Sequence, residues 1–142
     1  MILKFPEYHC DVSKIKFTIE SIIKLDILDY PVIDSDGHKV WRNKEGEYHR
    51  DNGPAIIENN GYQAYFIDGE YHRLDGPAII WPSGEQHYFQ NDRLHRLDGP
   101  AVIRADGSVC YYQDGKRHRE DGPAVIHYNG YQEYWENGVR LK

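Results

Sequence analysis

Four histidines, His49, His72, His95 and His118, stand 23 residues apart, and each opens the same phrase: His-Arg, one variable residue, an acid or amide, then Gly-Pro-Ala. The acid is Asp75, Asp98 or Asp121, with Asn52 in the first copy. Imidazole beside carboxylate is the raw material of a metal site or of a general base with its orienting acid. A third charged column, Arg73, Arg96 and Arg119, lies next to the histidines and supplies what an anion site needs.

The spacing argues against shared chemistry. Strands of a sheet lie about 4.8 Å apart, so like-placed histidines sit roughly 14 Å apart with three strands per repeat and roughly 10 Å apart with two. Zinc ligands must all come within about 2 Å of one ion. One repeat alone offers a single His and a single Asp, too few ligands for a metal site. Active sites are singular constellations on a scaffold, whereas these polar residues recur four times. No nucleophile elbow and no phosphate-binding Gly-Lys loop is present. The expectation is a chain that is not an enzyme, with no metal and no cofactor.

The elements that position these residues follow from the same 23-residue period. Ala55, Ala78, Ala101 and Ala124 form one column, followed by Ile56-Ile57, Ile79-Ile80, Val102-Ile103 and Val125-Ile126. Gly61, Gly84, Gly107 and Gly130 form another. Then come Tyr65, Tyr88, Tyr111 and Tyr134, each followed by an aromatic residue: Phe66, Phe89, Tyr112 and Trp135. Asn-Gly and Asp-Gly pairs between short β-branched or aromatic runs predict two-residue type I′ hairpins at Asn60-Gly61, Asp106-Gly107 and Asn129-Gly130, and again at Asp68-Gly69 and Asp114-Gly115. A glycine or proline every six to eight residues leaves no room for helices. The expected architecture is all-β, an elongated antiparallel sheet of stacked hairpins growing by about three strands per repeat.

In that frame the recurring phrase is a corner. Gly76, Gly99 and Gly122 are expected to supply an unusual φ, and Pro77, Pro100 and Pro123 to open the next strand without a donor. Asp75, Asp98 and Asp121 would accept hydrogen bonds from the loop, and Arg would pair with Asp. The two aromatic columns are adjacent and so face opposite sides of the sheet. An exposed aromatic groove built from Tyr65, Phe66, Tyr88, Phe89, Tyr111, Tyr112, Tyr134 and Trp135 is the candidate partner-binding surface. Arg73, Arg96 and Arg119 are the candidate anion-binding residues.

Residues 36–142 hold the array: a partial copy, "DGHKVWRNKEGEYHR", four fuller units, and a final partial one ending in Leu141-Lys142. Residues 1–35 differ in composition and read as an N-terminal cap. There Ile15, Phe17 and Ile19 alternate as in a strand, while Ile15, Ile19, Ile22 and Ile23 fit a helical stripe; the pattern leaves both open for residues 15–29.

Composition narrows the partners. The 142-residue chain carries a net charge of −6, and residues 36–142 hold 13 Lys and Arg against 17 Asp and Glu. That balance disfavours nucleic acid and anionic membranes. Two separated cysteines, no leader pattern and no long apolar run fit a cytoplasmic protein. The strand around Tyr134–Leu141 would end the sheet as an open edge, which makes a homodimer an expectation.

These columns resemble MORN repeats, a family of 23-residue hairpin units. The likeness is to the variant form found in bacteriophage, giant-virus and bacterial proteins, carried by units such as "GPAVIRADGSVCYYQDGKRHRED" at 99–121. The better-known eukaryotic form has His-Gly where this chain has His72-Arg73. The resemblance implies a scaffold that dimerises or binds another protein and supplies no catalytic residue. It suggests an inhibitor of a host enzyme or defence complex, acting in the host cytoplasm if phage-encoded. Sequestration of a small anionic ligand such as a nucleotide, and a membrane-associated scaffold, are the alternatives.

Overall fold

The computed structural model describes residues 30–142. The strand-or-helix question over 15–29 lies outside the described residues, as does most of the expected cap. Among the described residues the chain is all-β, with no helix. Ten two-residue strands form one antiparallel sheet in chain order. They are Val32–Ile33, Lys39–Val40, Ile56–Ile57, Gln63–Ala64, Ile79–Ile80, Gln86–His87, Val102–Ile103, Val109–Cys110, Val125–Ile126 and Gln132–Glu133.

The sheet therefore starts inside the segment assigned to the cap. Pro31-Val32-Ile33, with Gly37 four residues after Ile33, copies Ala55-Ile56-Ile57 and Gly61, although proline replaces the alanine.

Each repeat places two strands in this sheet, not three. The chain then passes through one tyrosine into a separate two-stranded hairpin, such as Phe89–Gln90 with Arg93–Leu94. The tyrosine is where the backbone changes partner. Tyr88 N–H donates to the Ala101 carbonyl of the next repeat at 2.7 Å, while the Tyr88 carbonyl accepts from His95 N–H of its own hairpin at 3.0 Å. Tyr65 and Tyr111 repeat both bonds. With its partner changed, the ladder into the next repeat stops, and the would-be third strand pairs inside its own copy. Successive hairpins are then tied by a few bonds each, Asp92 N–H to Tyr71 carbonyl with Arg73 N–H to Phe89 carbonyl, and Gly115 N–H to Leu94 carbonyl with Arg96 N–H to Tyr112 carbonyl.

The two glycine turns of a repeat differ. Asp68 and Gly69 both take positive φ, 46° and 78°, as do Asn91 and Asp92, Asp114 and Gly115, and Asn137 and Gly138. These are the I′ turns expected from sequence. At the other turn only the glycine is left-handed, Gly61 at 97° and Gly107 at 87°. Gly61 N–H donates to Glu58 carbonyl, and Glu58 N–H to Tyr62 carbonyl. The loop is thus three residues long, a type I turn closed by a left-handed glycine, rather than the expected two-residue turn. The Asx side chain accounts for the difference: Asn60 Oδ1 accepts Tyr62 N–H at 2.7 Å, and Asp106 Oδ1 accepts Ser108 N–H at 2.8 Å. That bond from Ser108 holds the Asp106 carboxyl below the usual carboxylate range.

Strand alternation divides the side chains. One row across the sheet runs Val40, Ile56, Ala64, Ile79, His87, Val102, Cys110 and Val125. Nearly all of it is buried. Beside it the hairpins stack their rings. Tyr48, Phe66, Tyr71 and Phe89 follow one another at centroid distances of 5.2, 4.2 and 5.3 Å. Leu94, Tyr112 and Trp135 pack against Val102, Cys110 and Val125. Burial raises the pKa of the Cys110 thiol and keeps it protonated.

Candidate functional site

The histidine–arginine corner is built almost wholly from internal bonds. His49, His72, His95 and His118 each turn Nδ1 toward the backbone N–H of a residue 19 positions on, in the next hairpin's turn: Asp68, Asn91, Asp114 and Asn137, at 3.0 to 3.3 Å. These are the left-handed residues that open the I′ turns. The same Nδ1 atoms of His49, His72 and His95 also lie 2.7 to 3.1 Å from the side-chain oxygens of Asp68, Asn91 and Asp114. Each imidazole thus fastens one repeat to the next and meets a different turn. Nothing gathers two of them.

Each arginine lies flat over the tyrosine of its own repeat. The guanidinium carbons of Arg73, Arg96 and Arg119 are 4.0 Å from the ring centroids of Tyr65, Tyr88 and Tyr111. Arg50 does the same over Trp41 at 3.7 Å, and Lys142 Nζ over Tyr134 at 4.3 Å. Arg73 Nε donates to Asp75 at 2.7 Å and Arg96 Nε to Asp98 at 2.8 Å. Their Nη1 atoms donate to the carbonyls of Pro77 and Pro100, as Arg119 Nη1 does to Pro123. Those bonds from arginine hold the Asp75 and Asp98 carboxyls below the usual range. The expected Arg–Asp pairing is present in these two copies; Asp121 has no such bond to Arg119 among the described contacts.

Gly122 takes the positive φ expected of it, 159°, but the other two corner glycines serve a different purpose. Gly76 and Gly99 do not take positive φ. A Cβ on either would lie 2.9 or 3.0 Å from the guanidinium carbon of Arg73 or Arg96. The guanidinium packs against the bare Cα, so a side chain there would have to displace it. At Gly122 the approach to Arg119 is looser, 3.4 Å.

The aromatic columns likewise do not form the expected open groove. Phe66 is 6% exposed, Phe89 is half-buried in the ring stack, and Tyr112 and Trp135 are half-buried against Val102, Cys110 and Val125. Tyr65, Tyr88, Tyr111 and Tyr134 are half-buried beneath the cations. The expected anion-binding arginines have one face on a ring, Nη1 on a proline carbonyl and, in Arg73 and Arg96, Nε on a carboxylate.

Sequence reasoning passed over the variable residue of the phrase. It is Asp51, Leu74, Leu97 and Glu120 in successive repeats. Leu74 and Leu97 are 75% and 76% exposed at the tips of their corners. Between successive corners lie three shallow clefts of about 620, 430 and 390 Å³. Each has a tyrosine in its lining, Tyr65, Tyr88 or Tyr111, with the corner residues as its walls. The middle cleft has Leu74 on one rim and Leu97 on the other. The signal was available: an apolar residue inside an otherwise polar turn phrase, in two copies of four.

A separate exposed cluster, Asp34, Asp36 and His38, brings its ligand atoms within 4.8 Å of one another. Asp34 Oδ1 already accepts N–H bonds from Asp36 and His38, which shape that turn. No helix among the described residues is long and apolar enough to cross a membrane. Comparison with protein families, with curated proteins and with solved structures found no match to this chain.

Proposed function

We propose that the protein is a non-enzymatic protein-binding repeat module and that its partner docks along the row of corners. The observation that carries this reading is the identity of the tip residue. All four corners share the stacked arginine and the histidine–turn bond, whether the tip is Asp51, Leu74, Leu97 or Glu120. The fold therefore has no need of leucine there, and two leucines three-quarters exposed on neighbouring tips are placed for contact with something else. The arginines and histidines are taken up in holding the corners, which weakens the anion-capture alternative. A MORN-like scaffold that inhibits another protein is one use of such a surface.

The test is affinity purification from the source cells, with Leu74→Asp/Leu97→Asp beside the wild type. The expected result is one stoichiometric protein retained by the wild type and lost from the double variant, at unchanged melting temperature. A partner held equally by both, or a thermal shift with nucleotides and no protein partner at all, would overturn the reading.

A further inference from the structure

The corner row also fixes what kind of segment fits it. We propose that it receives a left-handed polyproline II segment with a basic residue at each end and an apolar residue, best a proline, at every third position between. This rests on the protein-binding reading above and names the partner's chemistry.

The first argument is spacing. Each repeat puts two strands into the sheet, so successive tips stand about 9.6 Å apart, twice the ~4.8 Å strand separation. Polyproline II has three residues per turn at about 3.1 Å each, a rise of about 9.3 Å, and brings every third side chain to the same side. Over four tips the mismatch is about 1 Å. An extended strand turns alternate side chains to opposite faces and cannot present every third one to a single row. An α-helix gains about 10.5 Å in seven residues and, at roughly 10–12 Å across, is wider than the gap between two corners.

The second argument is lining. Every cleft carries one tyrosine, one face of which is covered by the corner arginine, and proline-rich segments dock into grooves lined by aromatic rings. The third is charge order. The tips read acid, leucine, leucine, acid, and the outer two, Asp51 and Glu120, are 78% and 79% exposed. Their nearest basic groups are the Nε2 atoms of His49 and His118, at 3.3 and 3.7 Å, and not an arginine. A segment laid along the row thus meets leucine at the two central tips, where the neighbouring Asp75 and Asp98 are paired with Arg73 and Arg96, and a carboxylate with no arginine partner at each end. The matching pattern is ten residues long: basic, two spacers, proline, two spacers, proline, two spacers, basic.

The probe is a fluorescent ten-residue peptide with arginine at its first and tenth positions, proline at its fourth and seventh, and alanine and proline as spacers. Anisotropy is compared with a peptide of the same composition whose arginines are moved inward by two positions, and with an alanine-rich peptide of the same length that favours helix. The in-register peptide is expected to bind at least tenfold more tightly than either. Asp51→Lys/Glu120→Lys should reduce that binding at least tenfold and remove most of its salt dependence. Leu74→Ala/Leu97→Ala should abolish it without changing the melting temperature. Equal binding of the shifted peptide, tighter binding of the helical one, or indifference to the tip substitutions overturns the proposal. If a native partner is lost from the Leu74→Asp/Leu97→Asp variant while no peptide binds, the polyproline assignment fails and the protein-binding reading stands.

Discussion

At the scale of single residues, the corner shows the same atoms that suggest catalysis engaged in holding a turn. A guanidinium offers two flat faces and five donors. In Arg73 one face lies on Tyr65, Nε holds Asp75 and Nη1 holds the Pro77 carbonyl. The pairing has a consequence for acid stability. Asp75 and Asp98 have folded-state pKa values lowered chiefly by the hydrogen bond from arginine. A carboxyl with a depressed pKa stabilises the fold at pH above its ordinary value of about 3.9, and that contribution is lost as pH falls through the lowered value. Urea midpoints measured from pH 6 downward should therefore fall below about pH 4. In Asp75→Asn/Asp98→Asn the midpoint should already be lower at pH 6 and decline less below about pH 4, so that the two curves converge in acid. Parallel curves for the two proteins would show that the pairs carry no folding energy. Both carboxylates are solvent-exposed, so the effect should shrink in high salt.

At the scale of the element, arginine, tyrosine, glycine and proline form one corner, and its parts are interdependent. Gly76→Ala would put a Cβ 2.9 Å from the Arg73 guanidinium carbon. The backbone there is ordinary, so the strain falls on the side chain, which can swing away only by leaving the Tyr65 ring and Asp75. The expected cost is about 1 kcal/mol, the worth of a cation–π contact at a partly exposed site. In an Arg73→Ala background the same Gly76→Ala change should cost close to nothing, because the group it displaces is gone. A double-mutant cycle by urea denaturation reads this directly, and equal costs in both backgrounds would place the glycine's role in the backbone instead. The sequence made the corner legible as a unit, since Gly-Pro-Ala after His-Arg recurs at fixed spacing. The glycine's reason was not legible: a conformational need and a packing need leave the same letter, and only the position of Arg73 separates them. The turns behaved alike. Asp68-Gly69 and Asn60-Gly61 look equivalent as dipeptides, yet an Asx bond to Tyr62 makes the second a three-residue loop.

At the scale of the whole molecule, the 23-residue period was legible because each column answers a neighbour-to-neighbour need: alanine beneath the tyrosine switch, glycine at the turn, aromatic in the stack. The number of strands per repeat was not, because the tyrosine's change of partner is a backbone event with no letter of its own. The start of the array at Val32 was hidden by Pro31 in place of the alanine. The binding candidate moved from the aromatic columns to the tips because periodicity draws attention to what repeats, and the tips are where the repeat breaks. Repeat arrays in which units touch only their neighbours have stabilities that add along the chain. Here the links between copies recur in the same set throughout: the paired strands, a Tyr N–H to the next Ala carbonyl, an Arg N–H to the next hairpin's aromatic carbonyl and a turn N–H to the previous histidine. Removing residues 76–98 joins Asp75 to Gly99 in the same columns and should leave a shorter folded array. Its denaturant m-value should fall by roughly one sixth, the share of residues removed. Deleting residues 80–98 instead, four residues short of a period, puts Ile79 against Gly99 and breaks the columns, so it should unfold the chain. Cooperative melting of the first variant and its absence in the second is the expected contrast. The same pair also separates folding from recognition. The 76–98 deletion keeps every kind of inter-repeat bond but removes Leu97, leaving Leu74 alone between two acidic tips one turn nearer together. A folded protein that no longer holds the ten-residue peptide, but holds one shortened by three residues, would tie the spacing of the tips to the period of the ligand.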